Sequence, residues 1–407
     1  MENRQIEKLD SRILGLVTKL NENVPEFKES LKQKKVYVDE DPEDVSIYPR
    51  VISRKEHQEM ERICRDITNS AFSNLSEYIK NPAKLNQTNL NNLVAELPLN
   101  QKIISGNARY DFLKQGEQVK LIEMNMLNVG AIIEATESCS SIFQICPELA
   151  EEFYFKSPVV GIKSRLDKAK VLSLILLTRE NYSKQQSDSS DRQYIKNSLS
   201  PIETFIVPEN EYHEIKFDNK NVLFNGQKID GVYLRHLDGT DNAIFEYNDF
   251  CKKLCSSDIF IMDHFKTLLL EDKDLRFLTK INPKLGQYIP KIFNVNEVDP
   301  SSYSEYVLKI RDMHCGAGVI ISPTSIDKKN AILQERIHTN KFPIKTIEGK
   351  EGIATYDTGI YVSYSYDLEK EKLIDYGISG YLTRFSLEKD IVNLSQGGGL
   401  IPTLIEK

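Results

Sequence analysis

Two extended runs joined by a short turn constrain the fold of this chain more than any other feature. The runs Ser105–Phe112 and Val119–Asn125 flank the turn signal Lys114–Glu117, which predicts a β-hairpin. Residues i and i+2 of a strand point to one face, so the Glu123 carboxylate and the Asn125 amide are predicted to reach one cation together. Oxygen ligands of this kind suit Mg²⁺. An ordinary surface hairpin with charged residues would show the same pattern.

Length and charge narrow the class of protein. The 407 residues are enough for two or three packed units. The 53 basic and 60 acidic residues give a formal charge of −7 without a strongly basic tract, which argues against nucleic-acid binding. Six cysteines lack a paired framework and zinc-site spacing, so we expect reduced thiols in a cytoplasmic protein. No apolar run approaches the length of about 18 residues that crosses a membrane, and we expect no membrane partner.

Apolar periodicity predicts a helical scaffold followed by an α/β unit. Helical spacing runs through residues 5–31, as one helix or two, and through 53–79 and 132–145. The nearly continuous apolar run 170–177 is typical of a buried parallel strand. Together with the strand predicted over 203–208 and the helix between them, it indicates a small α/β domain.

We therefore predict three domains. Residues 1–165 form an N-terminal helical scaffold that also carries the metal-binding hairpin, and residues 166–256 form an α/β substrate-binding domain. Residues 257–407 form a nucleotide-binding region. The acidic stretch 36–48 and the serine-rich segment 184–190 are predicted as loops.

The C-terminal third begins with a strand, Tyr306–Lys309, that delivers a lysine at its end. A small-residue turn with Gly316 and Gly318 follows and leads into another strand. Such a strand, glycine turn and strand can fold its backbone N–H groups over phosphates. A lone G-x-G is weak evidence, since most are simply turns.

Two further strands and a glycine run complete this third of the chain. Residues 331–337 form an apolar strand with a polar end, and residues 357–364 alternate as a half-buried strand does. The three glycines at 397–399 carry a heavy entropic cost. A closely approaching ligand or a closing flap explains them better than chance.

These parts together describe a nucleotide site and resemble the ATP-grasp ligases, in which the nucleotide lies between two sheets. In most such chains the Glu-x-Asn pair follows the lysine, whereas here Glu123 and Asn125 lie far upstream of Lys309. This order resembles the eukaryotic-type glutathione synthetases from about Ser46 onward. The resemblance implies an α/β, permuted ATP-grasp fold that uses ATP and Mg²⁺. The implied reaction joins a carboxylate to an amine through an acyl phosphate and releases ADP and phosphate.

The most specific match pairs Arg109-Tyr-Asp111 with Glu123-Met-Asn125. It is similar to the family's Arg-x-Asp and Ile-Glu-x-Asn motifs. It implies that Glu123 and Asn125 are Mg²⁺ ligands and that Arg109 lies near the acyl substrate.

Other segments resemble the family's nucleotide and substrate motifs. Strand 331–337 resembles the family's hinge, which implies that it contacts adenine. The Asp357 motif implies a contact with the ribose. The Tyr233-Leu-Arg235 motif implies that Arg235 anchors a substrate carboxylate. The implied ATP-binding residues are Lys309, Gln334, Glu335, Asp357, Lys266, Gly316 and Gly318. The implied substrate-binding residues are Arg109, Arg235, Arg384, Gly397 and Gly398, and Arg109 and Arg384 are the predicted catalytic residues.

The third metal ligand departs from the family pattern. The family carries a glutamate soon after its lysine, followed by consecutive glycines. Counted forward from Lys309, the position of the family's glutamate falls on Asp312, which is the predicted ligand. Counted back from Gly316, the same position falls on Cys315. The two counts leave this ligand open.

The second ATP-binding lysine and the substrates are also open. Ser386 stands where the family has a lysine, and Lys266 and Lys273 are both candidates for the other ATP-binding lysine. The family's named activity is glutathione synthesis. Ligation of another amino acid or a polyamine, as in glutathionylspermidine synthetases, and a catalytically silent ATP-binding regulatory protein are the alternatives. The expected partners are a small carboxylate and a small amine, and the family suggests a homodimer.

Overall fold

The computed structural model describes residues 5–407 with several internal gaps. The positions left out are 1–4, 39–40, 43, 82–88, 128, 179–185, 236–246, 312–317, 325, 327–329, 389–391 and 393–397. The main chain alone is described at 37–38, 41–42, 89–90 and 186–190. The predicted site residues Asp312, Gly316 and Gly397 lie outside the described residues.

Strands occur along the whole described chain. They are β1 (Tyr37–Val38), β2 (Asp41–Pro42), β3 (Arg50–Ile52), β4 (Ile103–Gln115), β5 (Gln118–Asn125), β6 (Phe153–Tyr154), β7 (Ser173–Thr178), β8 (Glu203–Pro208), β9 (Lys216–Asp218), β10 (Asn221–Phe224), β11 (Gln227–Lys228), β12 (Gly231–Leu234), β13 (Phe260–Met262), β14 (Ile292–Asn294), β15 (Tyr306–Ile310), β16 (Val319–Ile321), β17 (Ala331–Glu335), β18 (Lys341–Lys345), β19 (Glu351–Asp367), β20 (Lys372–Ser386), β21 (Gly399–Ile401) and β22 (Thr403–Glu406).

Helices are concentrated in the first two thirds of the described chain. They are α1 (Ser11–Leu14), α2 (Val17–Glu22), α3 (Val24–Gln33), α4 (Arg54–Lys80), α5 (Asn89–Glu96), α6 (Ile132–Ile145), α7 (Leu149–Glu152), α8 (Pro158–Lys168), α9 (Gln186–Ser198), α10 (Asn248–Ser256) and α11 (Arg276–Ile281). Short 3₁₀ helices cover Glu209–Glu214, Phe265–Leu270, Pro283–Gln287, Val295–Glu297 and Pro300–Glu305. None of these helices is long and apolar enough to cross a membrane.

The long helices confirm the predictions made from periodicity. Helix α6 has the predicted bounds, and α4 begins after Ser53, whose hydroxyl accepts a hydrogen bond from the Glu56 N–H (3.1 Å). This contact is a typical N-cap. For residues 5–31 the predicted number of helices, one or two, is wrong, because three short helices form. Gly15 ends α1, and Asn23 lies between α2 and α3.

Both predicted loops contain regular structure. Strands β1 and β2 form a small antiparallel pair within 36–48. Helix α9 begins at Gln186, inside the segment 184–190 that was predicted as a loop. Polar composition alone does not exclude either element, because packing against the rest of the protein overrides weak local preference.

A large mixed sheet forms the centre of the molecule. Its order is β21-β20-β19-β4-β13-β12-β7-β8, with β18 paired to β19 and β5 paired to β4. Strands β13, β12, β7 and β8 are parallel, whereas β19, β20 and β21 are antiparallel to their neighbours. The α/β prediction is confirmed at this level. Strands from all three predicted domain ranges share the sheet, and the boundaries themselves stay predictions.

A second, smaller sheet carries the predicted lysine strand. Its order is β14-β17-β15-β16, and all its pairs are antiparallel. Lys309 on β15 lies opposite Ile332 on β17, and Val307 lies opposite Gln334. This register places the lysine and the predicted adenine-contacting residues on adjacent strands.

Helix α4 covers one face of the large sheet. Its Phe72 ring packs on Tyr364 and Tyr366 of β19, with centroids 4.8 and 5.0 Å apart. Tyr110 and Phe112 of β4 join the same core. Because side chains alternate along a strand, Arg109 and Asp111 point to the opposite face. The candidate site lies on that face.

Candidate active site

Asp111 is the centre of the polar cluster on this face. It is 1% exposed and accepts hydrogen bonds from Arg109 Nε (2.7 Å), Arg109 Nη2 (3.1 Å) and Arg384 Nη2 (3.2 Å). Asn125 Nδ2 donates to the same carboxylate over 3.3 Å. In the hairpin, Asp111 lies opposite Glu123, and Arg109 lies opposite Asn125. Sequence reasoning included Asp111 in a motif but gave it no role of its own.

Asp357 and Arg384 face each other across β19 and β20. The guanidinium donates from Nε to Oδ1 (3.0 Å) and from Nη2 to Oδ2 (2.5 Å) of Asp357. Such a two-point pair is strong and fixes the orientation of the arginine. The resemblance implied a ribose contact for Asp357, and that role stays a prediction.

The two aspartates of this cluster differ in their pKa values. Burial would raise the pKa of Asp111, but Arg109 and Arg384 together hold it at about 2. Burial raises the pKa of Asp357 to about 6, because Arg384 offsets only part of the effect and the charge of Asp111 adds to it. The carboxylate with two arginine partners therefore stays charged far below neutral pH.

Glu123 faces two lysines that come from distant parts of the chain. The Lys273 ammonium contacts Glu123 Oε1, and the Glu123 side chain remains 27% exposed. Burial acts to raise the pKa of Glu123, but Lys273 and, more weakly, Lys309 bring it below its ordinary value. The carboxylate is therefore charged and has an open side.

Lys309 joins the small sheet to the hairpin. Its Nζ donates a 2.6 Å hydrogen bond to the main-chain carbonyl of Ile122, and its side chain is 6% exposed. Burial lowers the pKa of Lys309 to about 8, although Glu123 acts in the opposite direction. The predicted lysine and the predicted metal strand are thus in direct contact.

The two candidates for the second lysine are placed differently. Lys266 is buried and donates to the carbonyl of Ala95 (2.8 Å). Burial lowers its pKa. Lys273, in contrast, lies in the cluster against Glu123. The geometry brings Lys273 to the site, whereas the hydrogen bond described for the Lys266 side chain goes to Ala95, outside the cluster.

Glu271 is a site-adjacent acid that sequence reasoning missed. Its Oε1 accepts the N–H groups of Met126 (2.5 Å) and Leu127 (2.6 Å), directly after the metal strand. Burial raises the pKa of Glu271 to about 7 despite these two bonds. The only sequence signal is its position two residues before Lys273.

The predicted adenine-contacting residues lie on β17. Gln334 is 3% exposed, and its Nε2 is buried without a hydrogen-bond partner among the described residues. Glu335 accepts a hydrogen bond from the Lys291 N–H (3.1 Å). Gly318 has a φ of +78°, a left-handed conformation that favours glycine, and its carbonyl accepts from the Ile310 N–H (3.1 Å). Gly398 directly precedes β21.

Arg235 is buried in an interaction with protein groups. It is 2% exposed, its Nη2 donates to Asp191 (2.6 Å), and its Nη1 contacts the carbonyl of Val129. Asp191 also accepts from the Ile133 N–H (3.1 Å) at the start of α6. These contacts give Arg235 a structural role, and its predicted role as a substrate anchor stays a prediction.

The donor set of the hairpin fits Mg²⁺. Because Asn125 uses its amide nitrogen toward Asp111, its carbonyl oxygen is the atom left for a ligand. Glu123 adds a carboxylate with an open side. Mg²⁺ keeps several waters and is usually held by one or two carboxylates plus phosphates, so few protein ligands suffice. Within the described ranges, no three His, Cys, Asp or Glu side chains are grouped to hold a metal.

The fold is a mixed α/β architecture in which a large sheet and a small antiparallel sheet meet at this cluster. No family model matches the chain, and no curated protein matches it by sequence. In structure, it is similar to a glutathione synthetase-like effector from Globodera pallida in its apo form. The TM-score is 0.71 at 13% sequence identity, over 98% of this chain and 99% of that chain.

A second solved structure is more distant. It is a putative gamma-glutamylcysteine synthetase from Methylobacillus flagellatus KT, with a TM-score of 0.37 and 11% identity over 82% of this chain and 86% of that chain. This likeness is too weak to carry an argument. The comparison with the effector shows a shared fold and leaves the activity to the residues of the site.

Proposed function

We propose that this protein is an ATP-dependent carboxylate–amine ligase with a permuted, glutathione synthetase-like ATP-grasp fold. The observation that carries the proposal is the hydrogen bond from Lys309 Nζ to the Ile122 carbonyl, beside Glu123. It joins the predicted phosphate lysine and the predicted metal strand across 187 positions of sequence. A nucleotide between the two sheets would meet both.

The charge of the cluster supports an anionic ligand. The cationic side chains are Arg109, Lys273, Lys309 and Arg384, and the carboxylates are Asp111, Glu123 and Asp357. Glu271, two residues before Lys273, adds a further acid whose pKa burial raises to about 7, so that it is partly protonated near neutral pH. Four cations therefore face three carboxylates and this partly protonated acid in a largely buried site. An excess of positive charge attracts polyanions such as a nucleotide triphosphate.

Gln334 supports a nucleotide base at the small sheet. A buried amide N–H without a partner costs roughly 1–3 kcal/mol. The Nε2 of Gln334 is such a donor, one strand away from Lys309. A ring nitrogen or other acceptor of adenine would satisfy it, which explains why a polar side chain is buried at this position.

The residues present fit a bound magnesium ion. Glu123 and Asn125 would hold it, and Asp312 is proposed as a third ligand. When bound, the ion neutralises phosphate charge during phosphoryl transfer. Lys309 and Lys273 contact the adjacent residues Ile122 and Glu123 of the hairpin and would bind phosphate oxygens.

The proposed reaction transfers the γ-phosphoryl group of ATP to the substrate carboxylate. A carboxylate oxygen forms a bond to phosphorus while the bond to ADP breaks. The amine nitrogen then attacks the acyl carbon and loses a proton, and phosphate leaves with the oxygen it acquired. The overall products are an amide, ADP and phosphate.

Arg109 and Arg384 are proposed to orient the carboxylate and to stabilise the oxyanion of the tetrahedral intermediate. Asp111 holds both guanidinium groups in fixed positions. Donors fixed in advance need little reorganisation, and each well-placed donor contributes about 3 kcal/mol. Asp111 is therefore proposed as a positioning residue for both arginines.

ADP release tests the proposal directly. The protein is incubated with ATP, Mg²⁺ and a panel of small carboxylates and amines, singly and in pairs, and products are identified by mass spectrometry. We expect ADP and an amide only when a matching acid and amine are both present. ATP binding without ADP release for any pair would favour a silent ATP-binding protein, and absence of ATP binding would overturn the nucleotide site.

A further inference from the structure

We propose that the Lys273 ammonium occupies, in the nucleotide-free protein, the place on Glu123 that a divalent cation takes in the working site. The metal would then enter together with the nucleotide and not before it. This inference rests on the proposed function. It concerns the order in which the site fills and not the reaction itself.

The contact between Lys273 and Glu123 carries the inference. The ammonium touches Oε1 of the carboxylate that is proposed to bind Mg²⁺. Lys273 is 6% exposed, whereas Glu123 is 27% exposed. The lysine therefore approaches the carboxylate from the protein interior, and a cation that binds at Oε1 must displace it.

The segment that carries Lys273 is anchored on both sides of the lysine. Before it, Glu271 accepts the N–H groups of Met126 and Leu127. After it, Asp274 accepts hydrogen bonds from Arg276 Nη2 (2.7 Å) and Arg311 Nη2 (2.5 Å). The backbone of Lys273 is thus fixed against the metal strand. The contact between the Lys273 side chain and Glu123 therefore follows from the fold.

Electrostatics explain why free metal would bind poorly. Lys309 is a second positive charge beside Glu123, because its Nζ lies 2.6 Å from the carbonyl oxygen of the preceding residue, Ile122. A divalent cation that arrives alone must displace one ammonium and approach the other. A cation that arrives with phosphates brings the negative charge that both ammonium groups can bind instead. This exchange moves ion pairs and makes or breaks no covalent bond.

The test measures binding of Mn²⁺, a cation that also takes oxygen ligands, to nucleotide-free protein by calorimetry. We expect weak binding by the wild type and binding at least about tenfold tighter by K273M, a difference of about 1.4 kcal/mol. K273Q serves if K273M does not fold, as judged by circular dichroism. The double variant E123Q/K273M should lose the gain, because the gain depends on the carboxylate.

Lys120 offers a matched control. It lies on β5 near Glu123, but its Nζ donates to the carbonyl of Gln287 (2.8 Å). K120M removes the same charge from the strand that carries Glu123 and should leave Mn²⁺ binding within about twofold. If K273M binds Mn²⁺ no more tightly than the wild type does, the inference is overturned.

A second measurement separates this inference from the proposed function. Mn²⁺ binding to wild type is repeated with a non-hydrolysable ATP analogue. Tight binding with the analogue, but no gain in nucleotide-free K273M, overturns the inference alone. Absence of metal binding even with the analogue overturns the proposed metal site as well.

Discussion

Lys309 Nζ donates a 2.6 Å hydrogen bond to the main-chain carbonyl of Ile122, 187 positions earlier in the sequence. The acceptor is a main-chain oxygen, so this hydrogen bond fixes the position of the lysine without involving the side chain of the neighbouring Glu123. The Glu123 carboxylate therefore stays available for other partners. The small sheet is thereby docked beside the proposed metal strand. The first prediction follows from this relationship.

Replacing Lys309 with Met should abolish ligation while the protein still folds. Methionine keeps the volume of the buried stem but removes the charge proposed to bind phosphate, so ATP turnover should fall by about a hundredfold or more. Steady-state ADP release measures the effect. Lys345→Met, which removes a surface lysine paired with Glu351 (2.7 Å), is the control and should keep turnover. Equal turnover in the two variants would argue against Lys309.

The Glu123 and Lys273 pair should couple in stability as well as function. E123Q leaves the buried ammonium of Lys273 without its carboxylate, so the coupling in a double-mutant cycle with K273M should be about 1–2 kcal/mol. Urea unfolding of the four proteins measures it. E123Q should also lose ligation, because it removes a proposed metal ligand. A coupling near zero would mean that the ion pair is not formed in solution.

Gly359 should tolerate no side chain. A Cβ at this position would lie 2.8 Å from Arg109 Cδ and 2.9 Å from Asp111 Oδ1. G359A should displace the arginine, lower turnover roughly ten- to a hundredfold and destabilise the protein by about 1–3 kcal/mol. Gly377→Ala is the matched control, since no atom lies within 4 Å of the Cβ it would add. Comparable activity of the two variants would show that the arginine position is unimportant.

Gln334→Met should weaken ATP binding without weakening the nucleotide-free protein. The variant removes a buried amide that has no partner among the described residues, so its free energy of unfolding should stay equal or rise. ATP affinity, measured by calorimetry, should fall about tenfold because one donor to the base is lost. Clear destabilisation without any change in ATP affinity would assign Gln334 a purely structural role.

Asp357 should make stability fall as pH rises through the weakly acid range. Burial raises its pKa from 3.8 to about 6, so between these values the folded state binds more protons than the unfolded state. Its stabilising contribution is therefore present below about pH 4 and lost toward pH 7, by about 3 kcal/mol at most. Urea unfolding of wild type and D357N from pH 4 to 7 measures it. The wild type should lose stability relative to D357N, and the opposite trend would refute the raised pKa.

Local patterns in the sequence predict the elements that depend on local physics. Helix α4 has a Ser53 cap and a continuous apolar stripe, and the hairpin has a turn signal between two extended runs. Periodicity alone predicts the helix, and the turn signal between the extended runs predicts the hairpin. The three helices of the first 33 residues were harder, because Gly15 and Asn23 interrupt a pattern that reads as continuous.

Side-chain partners in the site depend on tertiary structure that no pattern reveals. Lys266 lies within the 3₁₀ helix Phe265–Leu270 and Lys273 follows that helix, so the path of this segment decides which lysine reaches Glu123. Asp357 meets Arg384 because of the register of two long strands that contain bulges. Glu271 binds backbone N–H groups 144 and 145 positions away, a contact with no sequence signature.

The alternation of β4 and β5 has a consequence for how this protein can change during evolution. Tyr110 and Phe112 enter the core under α4, while Arg109 and Asp111 reach the site. Insertion or deletion of a single residue within β4, between these positions and without a compensating bulge, would exchange the two sets, burying charges and exposing aromatic rings. The extra residue that β5 carries opposite Asp111 and Phe112 lies in a bulge, which leaves the alternation of β4 intact. The site and the hydrophobic core must therefore be inherited as one unit along β4.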